Sequence, residues 1–110
     1  RQALKQLNDE PLEAKALIEN AMGFALAAQD NFNLAVKHYE LALKAKNDYP
    51  VALNNLAFAK EKLNQREDAS NIYKQVLDIE PNNKTALKQL KKLNKLEPDK
   101  EQESLSKQGF

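Results

Sequence analysis

The sequence predicts an all-α fold, a short solenoid of helix–turn–helix units, and three observations carry that prediction. Composition is the first: two glycines and four prolines in 110 residues, with 30% charged and 42% hydrophobic residues, is a helical profile rather than a β-rich or disordered one. The second is self-similarity at a fixed offset of 34 residues. The third is apolar spacing within each period at i, i+1, i+4, i+7 and i+8, the stripe of an amphipathic helix.

The offset brings Asn20 onto Asn54, Phe24 onto Phe58, Ala35 onto Ala69, Tyr39 onto Tyr73 and Leu43 onto Leu77. A second step brings Ala52 onto Ala86, Leu53 onto Leu87 and Leu56 onto Leu90. The matches fall on small or apolar positions, as they must if each period is one unit stacked on the next.

Each period reads as two helices. The first spans about 12–29, with Leu17, Ala21, Met22, Ala25 and Ala28 on one side, and Asp30-Asn31 breaks it. The second, about 32–46, carries Ala35, Val36, Tyr39, Ala42 and Leu43. The next pair spans about 50–63 and 66–79. Pro50 suits a first helical turn with Asp48 as its cap, and Asn64 suits a left-handed helix end. Glu80-Pro81-Asn82-Asn83 stops that pair and caps a closing helix at 84–96, where Leu87, Leu90 and Leu93 point inward and the lysines outward. The expected organisation is an N-terminal helix or truncated repeat at 1–11, repeats at 12–49 and 50–83, a closing helix at 84–97 and a disordered polar tail at 98–110.

Helices joined by such short breaks lie antiparallel and close. Gly23 and Ala57 mark the close point on the first helix of each pair, and Ala35 and Ala69 on the second. Tyr39 and Tyr73 fill the adjoining space with their hydroxyls near solvent.

A 34-residue unit with small residues at its eighth and twentieth positions resembles the tetratricopeptide repeat. Leu56, Ala57, Ala69, Tyr73, Leu77 and Pro81 carry the likeness in one unit, and Gly23, Phe32, Ala35, Tyr39 and Ala42 in the other. Glu19 and Leu53 stand where the family has Trp, Arg66 where it has an aromatic, and Asn47 where it has Pro. The resemblance implies a concave binding surface on the first helix of each unit. It is formed here by Leu17, Asn20, Ala21 and Phe24, then Val51, Asn54, Asn55 and Phe58, then Thr85, Lys88, Gln89 and Lys92.

From these, Asn20, Phe24, Asn54, Asn55, Phe58, Lys88 and Lys92 are the candidate protein-binding residues. Aromatics beside adaptable amides suit recognition of a polypeptide, although both phenylalanines equally suit a place in the core between repeats. Relatives that clamp the carboxylate tails of chaperones need basic residues where this chain has Thr85 and Gln89, which disfavours that ligand. The run from Ala52 to Leu87 is similar to photosystem assembly proteins of cyanobacteria and chloroplasts. The function expected is therefore a protein-binding scaffold or assembly factor, with a self-associating homodimer module as the alternative.

Other functions find little support. No catalytic constellation and no phosphate loop is present, and no cofactor is implied. His38, the single histidine, lacks partners for a metal or base role. The lysines of the closing helix read either as an anion-attracting patch or as a soluble cap. With 17 basic and 16 acidic residues, and no aromatic platform among the basic ones, nucleic acid is not an expected partner. No run of apolar residues is long enough to span a membrane. The absence of cysteine fits a reducing compartment, cytoplasmic or stromal, and a start at Arg1 reads as an excised domain.

Overall fold

The computed structural model describes residues 2–96, and side chains from 11 to 95. Five helices follow in order: α1 Gln2–Ala28, α2 Phe32–Ala45, α3 Pro50–Lys62, α4 Arg66–Ile79 and α5 Lys84–Leu96. Each packs on the next, and α1 also touches α3, so α1, α3 and α5 form one layer and α2 and α4 the other. Among the described residues there is no strand and no helix long and apolar enough to cross a membrane. The expected tail lies outside the described residues.

The turns close as the sequence predicts, and alike in both pairs. Asp30 and Asn64, equivalent residues, adopt left-handed φ values of 62° and 63°. The amides of Asn31 and Gln65 then reach back to the carbonyls of Leu26 and Lys60, at 2.9 and 2.8 Å. This backbone closure satisfies carbonyls that the helix end would leave open. Asn83 caps α5 through its side chain, its Oδ1 accepting from the Ala86 amide at 3.0 Å. Asp48 does not cap α3. Tyr49 takes that place with no side-chain cap bond, because Pro50 begins the helix and removes one of the amides a cap would serve.

Two clusters make the core. Ala35, Val36, Tyr39, Leu56 and Ala59 form one; Leu53, Ala57, Ala69, Tyr73, Val76, Ala86 and Leu93 form the other. Leu43 and Ile72 pack against both, which makes the interior continuous. Gly23 is the close point of the first pair. A Cβ there would lie 2.6 Å from both Cδ1 and Cε1 of Tyr39.

Three expectations need correction. α1 begins at Gln2 rather than near residue 12 and runs through Pro11. One proline removes one hydrogen bond, and Ala3, Leu4, Lys5, Gln6 and Leu7 are good helix formers on the other side of it. Leu17, Ala21, Met22, Ala25 and Ala28 share one side of α1 and all are exposed, while α1 buries Ala16 and Gly23. No neighbour covers that side among the described residues. Leu87 is 48% exposed for the same reason at the far end: its equivalent, Leu53, is covered by α4 and α5, and no second helix of a pair follows α5 within the described residues. Finally, the Tyr73 hydroxyl is not turned to solvent. It donates to Glu61 Oε2 at 2.6 Å, with the whole residue buried.

Candidate partner-binding face

Three helices, α1, α3 and α5, supply every candidate binding residue, and polar bonds tie them edge to edge. Asn55 Nδ2 donates to Asn20 Oδ1 at 3.0 Å, joining α3 to α1. Gln89 Nε2 donates to Glu61 Oε2 at 3.1 Å, joining α5 to α3. The same Glu61 oxygen accepts from Tyr73, so one carboxylate fixes α3, α4 and α5 together.

Phe24 and Phe58 lie on this face with 61% and 41% of their surface exposed, so neither ring is buried between repeats. Asn20 and Asn55 lie half-buried between the two helices, each amide keeping one polar atom outside the bond they share. Asn54 is turned elsewhere: its Nδ2 donates to Asn83 Oδ1 at 3.2 Å, and its Oδ1 is buried without a partner. Lys88 and Lys92 are exposed on α5.

Phe58 and Lys92 meet at a shallow depression of about 130 Å³, lined also by Glu61, Lys62, Asn64, Arg66 and Leu93. Lys62 holds its ammonium 5.2 Å from the centre of the Phe58 ring, an attractive cation–π distance. Lys62, Arg66 and Lys92 make no ion pair among the described residues, and Glu61 is occupied by Tyr73 and Gln89. The depression is thus an apolar ring edged by cations. Sequence reasoning missed Lys62 and Arg66. Lys62 was legible, since it stands one helical turn from Phe58; Arg66 reaches the site only through the turn that Asn64 makes. Lys88 and Phe24 do not line this depression.

His38 lies on α2, outside the candidate face. Its Nδ1 is 2.7 Å from Glu19 Oε2, a bond that ties α2 to α1. No group of three or more potential metal ligands occurs among the described residues.

The tetratricopeptide repeat profile matches residues 26–99. The chain is 35% identical over 92 residues to the uncharacterised protein ycf37 of Cyanophora paradoxa, a match covering 82% of this chain and 54% of that protein. It is 35% identical over 71 residues to the chloroplastic tetratricopeptide repeat domain-containing protein PYG7 of Arabidopsis thaliana, covering 64% of this chain and 24% of that one. The chain thus spans about half the length of the first relative and a quarter of the second. Among solved structures, the first repeat domain of Spaghetti (RPAP3), bound to the HSP90 peptide SRMEEVD, superposes with a TM-score of 0.71 at 26% identity, over 74% of this chain and 64% of that one. The second repeat domain of human RPAP3, in complex with the HSP70 peptide SGPTIEEVD, gives 0.70 at 26% identity, over 73% and 67%.

Proposed function

Because the chain belongs to the tetratricopeptide repeat family, a protein-interaction fold, we propose that it binds a segment of another protein on the face made by α1, α3 and α5, and does so as an assembly factor for a photosynthetic membrane complex. The observation that carries the binding site is the exposure of Phe24 and Phe58. Two large rings on adjacent repeats, with amides between them and cations at one end, have the composition of a recognition surface. Apolar side chains of the partner would rest on the rings. The polar atoms that Asn20 and Asn55 leave outside their shared bond would pair with its backbone, and an acidic residue would meet Lys62, Arg66 and Lys92.

The structural neighbours hold the acidic HSP90 and HSP70 peptides SRMEEVD and SGPTIEEVD. This chain has Thr85 and Gln89 where a carboxylate clamp has cations, and Gln89 is already bound to Glu61. A different segment is therefore the expected ligand. The assembly role is supported by the likeness to photosystem assembly proteins and by the kinship with a chloroplastic repeat protein.

The test is retention of photosystem assembly intermediates, solubilised from thylakoid membranes, on the immobilised protein. The wild type should retain them and the Phe24→Ala/Phe58→Ala double variant should not. A folded wild type that retains no photosystem subunit contradicts the assembly role.

A further inference from the structure

Acids and bases nearly balance over the whole chain, but from residue 84 to 103 they are segregated. Helix α5 carries five lysines and no acid. All five are exposed, and none makes an ion pair among the described residues. Lys92 adjoins Lys62 and Arg66 at the depression beside Phe58, and Lys88 stands one helical turn before it. Glu61, the acid in that lining, is committed to Tyr73 and Gln89. Residues 97–103, directly after α5, reverse the pattern: Glu97, Asp99, Glu101 and Glu103 stand against the single Lys100.

We infer that this acidic segment folds back along α5 and occupies Lys88 and Lys92, so that a partner must displace it. The inference rests on the reading of this face as the partner site. Three features select the segment as the occupant. The first is direction. Pro98 steers Glu97 away from the helical region. A Glu-Pro pair already reverses the chain at the other end of α5: Glu80-Pro81 leads out of α4, and the Asn83 amide donates back to the Glu80 carbonyl at 3.0 Å. Proline in the second place of such a turn is favoured, and most residues are tolerated after it.

The second is spacing. Asp99, Glu101 and Glu103 alternate, so an extended chain turns all three to one side at intervals of about 7 Å. Lys88 and Lys92 are one helical turn apart, about 6 Å. Three extended residues beyond the turn span about 10 Å, and α5 rises about 12 Å from Lys88 to Leu96. Glu101 and Glu103 thus come within side-chain reach of Lys92 and Lys88.

The third is proximity. A segment joined to α5 by a few residues is present at roughly millimolar effective concentration. That fills even the weak pairing of exposed charges, an advantage no carboxylate from another molecule begins with.

The test uses the full 110-residue chain, whose lack of cysteine lets Ser104→Cys carry a single spin label. Paramagnetic relaxation should broaden the amide signals of Phe58, Lys62, Arg66 and Lys88 and spare those of α2. Any segment of this length passes near the end of α5, so a charge comparison decides. Glu101→Lys/Glu103→Lys should restore most of the lost signal at those residues. Salt at about 1 M, where the Debye length falls to ~3 Å, should do the same. Broadening unchanged by both overturns the contact. Broadening seen only between a labelled chain and a separate isotope-enriched one overturns the fold-back within one molecule. Displacement is read on the immobilised protein: Glu101→Gln/Glu103→Gln should hold assembly intermediates roughly threefold to tenfold more tightly than wild type. Equal retention by the two overturns the displacement. If neither retains an intermediate, the partner reading of the face fails, and the relaxation comparison still decides the contact with α5.

Discussion

Replacing Gly23 by alanine adds a single carbon at the tightest contact between α1 and α2. That carbon would sit 2.6 Å from Tyr39 Cδ1 and Cε1 and 3.1 Å from Cζ. Carbon atoms in contact rest ~3.5–4.0 Å apart, so the ring must retreat by about 1 Å. Tyr39 is 1% exposed and packed among Ala35, Val36, Leu56 and Ala59, which leaves no room to retreat into. Overpacking of this kind costs about 1–3 kcal/mol. Alanine returns up to about 1 kcal/mol through its better helix propensity. The net loss expected is about 0–2 kcal/mol, and each kcal/mol moves the melting temperature of a domain this size by about 4–8 °C. Urea unfolding and thermal melts of the variant measure it. The same substitution in a Tyr39→Leu background has no ring to displace and should be neutral or slightly stabilising, so the two changes should couple by roughly 1–3 kcal/mol. An equal cost of Gly23→Ala in both backgrounds refutes the steric account.

Two further perturbations test the polar ties between helices. Tyr73→Phe leaves Glu61 with Gln89 alone and should cost about 1–2 kcal/mol by urea unfolding. Burial, then the hydrogen bond and charge of Glu61, hold the Tyr73 phenol above its usual pKa of 10.0. The folded protein therefore keeps a proton that the unfolded chain releases near pH 10.0: that part of the stability is whole below pH 10.0 and drains as pH rises beyond it. Tyr73→Phe should flatten the alkaline decline without abolishing it, since burial raises the Tyr39 pKa as well. His38→Gln should change stability by no more than about 1 kcal/mol, because a glutamine amide can still donate to Glu19 across the same part-buried contact. Zinc should not raise the wild type's melting temperature; if it does, the packing role of His38 is wrong.

What the sequence made legible follows from what repeats. Helix ends read well because turns are local: Asn64 takes the left-handed conformation for which its side chain suits it, and its partner one period earlier, Asp30, does the same. Gly23 was legible as a close point because small residues recur at that register. The covering of α1 was not. Periodicity says that Leu17, Ala21, Met22 and Ala25 share a side, but not whether a neighbour covers it. Leu87 fails in the same way at the other end.

The tie from Tyr73 to Glu61 was invisible because it appears in one period only: Ala27 stands where Glu61 would fall in the first. At the candidate site, the sequence pointed to Phe58 and Lys92, which the fold brings to one depression. It did not point to Arg66, whose arrival depends on the turn, or to the bond between Asn54 and Asn83 across the connection to α5.

The central claim, that the face of α1, α3 and α5 receives a partner through its exposed rings, is tested most directly by Phe58→Ala, with unfolding free energy and affinity for a retained assembly intermediate measured on the same preparation. Phe58 is 41% exposed, so its removal should leave stability within about 1 kcal/mol of wild type. Loss of an aromatic anchor costs ~2 kcal/mol or more in binding, so affinity should fall at least tenfold. A variant that loses about 3–5 kcal/mol of stability would mark Phe58 as core. A stable variant with unaltered affinity would contradict the claim outright.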